Sequence, residues 1–146
     1  MKLSDITKNS QIKPPRVLIF GPAGIGKTTF GAAAPRPIFL TIEDGLGKIE
    51  ANAFPQPKNY LEARSALDAL INEDHDYKTL VVDSLDWLEP LIWAHTCDQN
   101  KWQSIEAPGY GRGRVEALNN CRELPDRVNY PRHHQKIANV MILHST

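Results

Sequence analysis

Val17-Leu18-Ile19-Phe20-Gly21-Pro22-Ala23-Gly24-Ile25-Gly26-Lys27-Thr28 decides the fold. The run from Val17 to Phe20 is apolar without alternation and of strand length, which suits a strand buried on both faces. Gly21 to Gly26 is a glycine-rich turn, and Lys27 to Ala34 reads as a short helix stopped by Pro35 and Pro37. Gly21–Thr28 fits G-x-x-x-x-G-K-[ST] in full, between a strand and a helix. Backbone N–H groups in such a turn converge on phosphate oxygens, and glycines permit the bend and the close approach. The helix start adds partial positive charge. Lys27 is placed to reach β- and γ-phosphates, the Thr28 hydroxyl to ligate Mg²⁺, and Thr29, by analogy with other such loops, to lie near an α-phosphate. An ordinary glycine turn is the alternative, but pattern and context together speak against it. The stretch therefore predicts a nucleoside triphosphate site for ATP with Mg²⁺, lined by Gly21, Pro22, Ala23, Gly24, Ile25, Gly26, Lys27, Thr28 and Thr29. It says little about what the nucleotide drives.

Downstream, Ile38 to Ile42 is a second strand, broken by Glu43-Asp44-Gly45. Residues 46–58, with Pro55 and Pro57, read as loop with a helical turn. Tyr60, Ala63, Leu67, Leu70 and Ile71 recur at helical spacing and predict an amphipathic helix over 60–72. Asn72 to Asp76 is a polar turn, and Leu80-Val81-Val82-Asp83 a third buried strand. Ser84 is placed to cap a helix with the stripe Leu85, Leu88, Leu91, Ile92 and His95. Lys101 to Arg114 reads as loop and Val115 to Leu124 as helix, and Pro125 and Pro131 interrupt the chain beyond it. Val140 to Leu143 is a fourth strand. Strands alternating with helices imply an α/β fold with a parallel sheet covered on its faces. Residues 1–14 form a polar lead-in, and 15–146 a single domain without repeats or low-complexity tracts.

The composition is that of an ordinary soluble domain: 146 residues, 41% apolar and 23% charged. Seventeen basic residues balance seventeen acidic ones, so a nucleic-acid or membrane partner must be met by a local patch. Met1 to Pro15 lacks the apolar core of a signal peptide, and no run is long enough to span a membrane. Cys97 and Cys121 are far apart with no CxxC, which reads as two reduced thiols. These features point to the cytoplasm.

A triphosphate site needs a carboxylate toward Mg²⁺, and hydrolysis needs a group that orients or deprotonates water. Asp83 ends a buried strand, and in a parallel sheet such ends converge on the ligand crevice. Its alternative reading is a cap for the next helix. Glu43 follows the second strand and reaches the same rim, with Asp44 an alternative for the base role. Asp44 with Gly45 also makes an ordinary Asp-Gly turn, and Glu43 alone reads equally as a solvated loop carboxylate. His144, after the fourth strand, can sense a γ-phosphate or be a plain loop histidine.

RVLIFGPAGIGKTTF, PIFLTIEDGLGKIE, YKTLVVDSLDWLE and ANVMILHST together resemble the RecA-like ATPase core. More narrowly, they and GYGRGRVEALN resemble phage ATP-binding proteins of that class associated with single-strand annealing, over residues 15–146. IEDGL after the second strand and VVDSL at the third narrow the choice among phosphate-loop families. The resemblance implies a three-layer fold, with Lys27 and Thr28 binding phosphate and metal, Glu43 activating water, and Asp83 on the metal side. His144 stands where RecA-like proteins place a polar residue that couples the γ-phosphate to a DNA-binding loop. Catalysis would then rest on Glu43, Lys27 and His144.

Two features depart from the family pattern. Pro125 and Pro131 fall where it has an uninterrupted helix, and an interior proline costs about 3 kcal/mol, so a broken helix is expected. The family sheet also continues past His144 with a fifth strand beside the phosphate-loop strand and with a DNA-binding loop. The expected order of the four strands read above is therefore 1-4-3-2 with the fifth missing, leaving Val17–Phe20 as an uncovered edge in an incomplete member.

Gly109-Tyr110-Gly111-Arg112-Gly113-Arg114, with Lys101 and Trp102 nearby, joins aromatics to cations on a glycine-rich loop. That composition suits single-stranded DNA through Arg112 and Arg114, and also a merely solvated loop. Arg132, His133, His134 and Lys136 read as a solvated turn, and Trp87, Trp93 and Trp102 as packing residues. The leading expectation is a DNA-stimulated ATPase of phage recombination, partnered by single-stranded DNA, a single-strand-binding protein and further copies of itself. A small-molecule kinase, with Arg112 and Arg114 on a lid, and a remnant that binds nucleotide without catalysis are the alternatives.

Overall fold

The computed structural model describes residues 2–6, 13–42, 46–135 and 137–144. Among the described residues, nine elements follow a short 3-10 turn at Leu3–Asp5: β1 (Arg16–Gly21), α1 (Lys27–Ala32), β2 (Pro37–Thr41), β3 (Asn52–Ala53), α2 (Tyr60–Asn72), β4 (Thr79–Asp83), α3 (Leu88–Asn100), α4 (Arg112–His134) and β5 (Ala138–His144). A further 3-10 turn at Leu85–Trp87 leads into α3. The strands form a parallel five-stranded sheet in the order β1-β5-β4-β2-β3.

The four expected strands thus keep their expected relative order, but the sheet departs from expectation by one further strand. The extra strand, β3, lies beside β2 at the edge opposite β1, in a stretch that reads as loop with a helical turn, and is not the family strand expected to be missing after His144. Asn52 and Ala53 are both exposed and carry no apolar pattern, so only backbone pairing marks them as strand. Phe54 N–H extends that pairing to the Phe39 carbonyl at 2.8 Å.

Alternating side chains of the central strands feed two cores. Ile38, Leu40, Leu80 and Val82 face a layer of α2, α3 and α4, where Tyr60, Leu67, Ile92, Leu124 and Val128 are buried. Phe39, Val81, Val140 and Ile142 face the other way, toward Ala32 of α1 and Ala51. α1 lies tightly on this second face, because a Cβ on Gly31 would come within 2.8 Å of Val81 Cγ1. α2 starts where Asn59 Oδ1 accepts the Glu62 N–H at 3.0 Å, a cap worth about 1 kcal/mol. Each large apolar side chain its inner face buries adds about 1.5–3 kcal/mol.

β1 corrects the expectation of a strand buried on both faces. Val17 and Ile19 pack inward, whereas Leu18 and Phe20 are 56% and 75% exposed. β1 is the end strand, pairing among the described residues with β5 alone, and the α2–α4 layer stops short of its outer face.

The two prolines do not break α4, which runs continuously through Pro125 and Pro131 for 23 residues. Each proline deprives the carbonyl four residues earlier, on Cys121 and on Arg127, of its helical donor. Packing holds the helix across both points. Leu124, Val128 and Pro131 are buried, and Asn139 Nδ2 donates to the Val128 carbonyl at 3.0 Å. Arg132 Nε donates to the Pro14 carbonyl at 2.7 Å, and Arg16 pairs with Asn129. Arg132–His134 are therefore the last turn of a helix rather than a free turn. Among the described residues, no helix is long and apolar enough to cross a membrane.

Candidate nucleotide site

The glycine turn between β1 and α1 takes the shape that its sequence demands. Gly24 and Gly26 have φ of 80° and 96°, a region that favours glycine, and a Cβ on either would meet nothing within 4 Å. Open space therefore lies over the loop. It forms a cavity of about 200 Å³ lined by Gly24, Gly26, Lys27, Thr28, Thr29 and Ile49. Ile49 is not among the candidates read from the sequence; it arrives from the segment between β2 and β3, three residues after the IEDGL stretch.

Lys27 is 5% exposed, and its ammonium donates to the Gly21 and Pro22 carbonyls at 2.6 and 2.8 Å. The side chain folds back over its own loop, so the cation is held at the loop's mouth by two neutral acceptors. Thr28, one residue on, donates its hydroxyl hydrogen to Asp83 Oδ2 at 2.6 Å. Asp83 is the last residue of β4, opposite Thr41 of β2 and Ile142 of β5 in the ladder. The Ile42 N–H donates to the Asp83 carbonyl at 2.9 Å, which ties the end of β2 to the same point. The Asp83–Ser84 peptide is cis, and Ser84 precedes the 3-10 turn without a side-chain cap bond.

His144 closes β5, and its backbone lies opposite Gly21 in the parallel ladder, at the first residue of the phosphate loop. The described part of His144 is its backbone. The strand ends thus bring Gly21–Thr29, Asp83 and the His144 backbone to one rim, as a parallel sheet requires. Glu43 and Asp44 lie outside the described residues.

The donor set fits a triphosphate with a small hard cation. Loop N–H groups and an ammonium suit phosphate oxygens, and a hydroxyl beside a carboxylate suits Mg²⁺, which takes one or two protein ligands and fills its octahedron with phosphate and water. Thr28 and Asp83 are the described residues that would hold the ion. When bound, it supplies positive charge toward the phosphates.

The sequence model of a family described as AAA domain matches residues 13–145. The chain belongs to this family. Among curated proteins, none matches it. An AAA domain is a nucleotide-binding phosphate-loop module, generally with Mg²⁺, and here the matched span covers every element from β1 to β5.

The cationic segment of this AAA domain differs from a simple loop. Arg112 opens α4, and Arg114 lies in its first turn. Arg114 pairs with Glu106 at 2.7 Å, and its guanidinium sits 5.4 Å from the Trp93 ring centre. Glycine at 113 is steric: a Cβ there would lie 1.8 Å from the Ile105 carbonyl oxygen. Tyr110 is fully exposed, and Arg112 and Lys101 are exposed as well. Trp93 packs against the core as expected and Trp102 is half-buried, whereas Trp87 is 53% exposed. The Tyr60 hydroxyl, at the start of α2, donates to Asn120 O and Glu123 Oε2 of α4 at 3.2 and 3.1 Å. Arg112 lies eight residues before Asn120 on the same helix, about 12 Å further along the axis, so the Tyr110–Arg112 corner projects past the start of α2.

Proposed function

We propose that this AAA domain is a Mg²⁺-dependent ATPase of the RecA-like kind, acting with single-stranded DNA in phage recombination or annealing. The observation that carries the ATPase reading is the 2.6 Å hydrogen bond between Thr28 and Asp83. A hydroxyl on the phosphate loop and a carboxylate on another strand, poised together at the rim, make a metal clamp that a purely structural glycine turn has no need of. In this reading Lys27 and the loop N–H groups hold the phosphates, and Glu43, directly after Ile42, orients or deprotonates the attacking water. His144, opposite Gly21, is the coupling residue at the γ-phosphate end.

The DNA part rests on Tyr110, Arg112 and Lys101, an exposed aromatic between exposed cations near the end of a projecting helix pair. Stacking on a base and neutralising phosphates need that combination. A single-strand-binding protein and a second copy of the chain are the protein partners this reading brings with it. The test is phosphate release from ATP with Mg²⁺, alone, with single-stranded DNA, and with a panel of small phosphate acceptors. Release stimulated by DNA supports the proposal. Transfer to an acceptor without release would replace it by a kinase, and nucleotide binding without either would leave a binding module.

A further inference from the structure

We propose that the space between the sheet and the α3–α4 pair is a binding site for a compact bicyclic aromatic molecule bearing one N–H donor. The cavity there has a volume of about 260 Å³. Its floor is Leu40, Val82 and Met141 of the sheet, and its walls include Leu88 and Ile92 of α3 and Leu124 of α4. An engineered cavity of ~150 Å³ with such a lining stays dry and takes up benzene, so this one has room for two fused rings. Water is a poor occupant because it needs several polar partners, and these walls are mostly aliphatic. Left empty, the void costs stability in proportion to its volume, which gives an apolar ligand its driving force.

Three of the lining residues narrow the chemistry. Met141 and Cys121 both line the cavity, and divalent sulfur at the edge of an aromatic ring is a favourable contact, which favours an aromatic over an aliphatic guest. Glu89, an exposed residue, also lines the cavity and is the one carboxylate among the described lining residues, an acceptor for a ring N–H. Burial, with Glu89 nearby, pushes the Cys121 thiol up, so it meets the guest as a neutral, soft group. Leu85, two residues after Asp83, also touches this space, yet the phosphate cavity shares none of its lining. The site is thus separate from the nucleotide rim and stands or falls independently of the ATPase reading.

Indole is the probe. Ligand-observed NMR and thermal unfolding of the full chain should show saturable indole binding and a rise in Tm. Cys121→Phe, which fills the cavity from within, should remove both effects. No saturable binding to the wild-type chain up to the solubility of indole, or equal binding to the wild type and to Cys121→Phe, would overturn the proposal. Should Cys121→Phe fail to fold, alkylation of the wild-type cysteines by iodoacetamide decides. Indole slowing Cys121 several-fold while leaving Cys97 unchanged supports the site, and equal slowing or none refutes it.

Discussion

The Thr28 hydroxyl donates a 2.6 Å hydrogen bond to Asp83 Oδ2, joining the first turn of α1 to the end of β4 across 55 residues of sequence. Neither residue needs the other for the ladder or for the helix. Their contact instead places one neutral and one anionic oxygen where a phosphate-bound cation would sit.

Asp83→Asn keeps the shape and an acceptor oxygen but loses the charge. Affinity for a non-hydrolysable ATP analogue should fall with Mg²⁺ present and change little in EDTA, since the carboxylate acts on the cation. Paired calorimetric titrations measure the two arms. Equal losses in both would return Asp83 to a purely structural role at the end of β4.

Glu43→Gln separates binding from hydrolysis. Lys27, Thr28 and Asp83 are untouched, so nucleotide affinity should persist. Phosphate release should drop about 10²-fold or more, the scale of a lost general base. A variant that turns over ATP at the wild-type rate would move the water-activating role to Asp44 or elsewhere.

Gly113→Ala tests the joint between the turn after α3 and the start of α4. The added Cβ would lie 1.8 Å from the Ile105 carbonyl oxygen, a backbone atom that cannot swing away. The helix start must shift, and a loss of about 1–3 kcal/mol is expected, as for other overpacked sites. Urea unfolding reads it, with the exposed Val115→Ala as a control expected to change little.

Much of this architecture is legible in the chain because it rests on local periodicity. Tyr60, Ala63, Leu67 and Leu70 mark one helical face, and α2 occupies the expected residues 60–72. The rim is legible for a topological reason: parallel strands bring their ends together, so Thr28 and Asp83 meet although sequence alone holds them apart. What escaped depends on neighbours distant in sequence. Val17–Phe20 looks doubly buried, but the end position of β1 exposes Leu18 and Phe20. Pro125 and Pro131 look like breakers, but contacts with Pro14, Arg16 and Asn139 hold α4 together around them. The Arg114–Glu106 pair and its Trp93 neighbour have no signature at all in spacing.

Tyr60 gives the fold a measurable alkaline limit. Burial first, and then the Glu123 carboxylate, push its hydroxyl up from an ordinary 10 to about 12. Below pH 10 the group is protonated both folded and unfolded, so its contribution is fully present. Between about pH 10 and 12 the unfolded chain ionises first, and stability should fall by about 2–3 kcal/mol. Tyr60→Phe lacks this titration. It should be less stable than wild type by about 1 kcal/mol at pH 8, from the lost hydrogen bond, and the order should reverse as pH rises toward 12, because only the wild type loses the Tyr60 contribution. Unfolding curves of both proteins at a series of pH values measure the difference.

Arg112 and Arg114 look equivalent in the sequence, and the structure separates them. Arg114 is committed to Glu106 at 2.7 Å and to the Trp93 ring, whereas Arg112 is exposed beside the fully exposed Tyr110. A cation already neutralised by a carboxylate releases fewer counterions from a phosphate backbone, so the two should contribute unequally to binding single strands. Arg112→Ala should weaken affinity for single-stranded DNA and reduce the slope of log affinity against log salt by about 0.7, one phosphate contact on a single strand. Tyr110→Ala should weaken affinity by about 1–3 kcal/mol, the scale of one stacked base, while leaving the slope unchanged. Arg114→Ala should alter the slope less than Arg112→Ala does, and should instead lower thermal stability by loosening the turn that ends at Gly111. Fluorescence anisotropy with a labelled oligonucleotide at several salt concentrations supplies the slopes. Identical slopes for the wild type and Arg112→Ala would take this corner out of the DNA path and leave it a solvated turn.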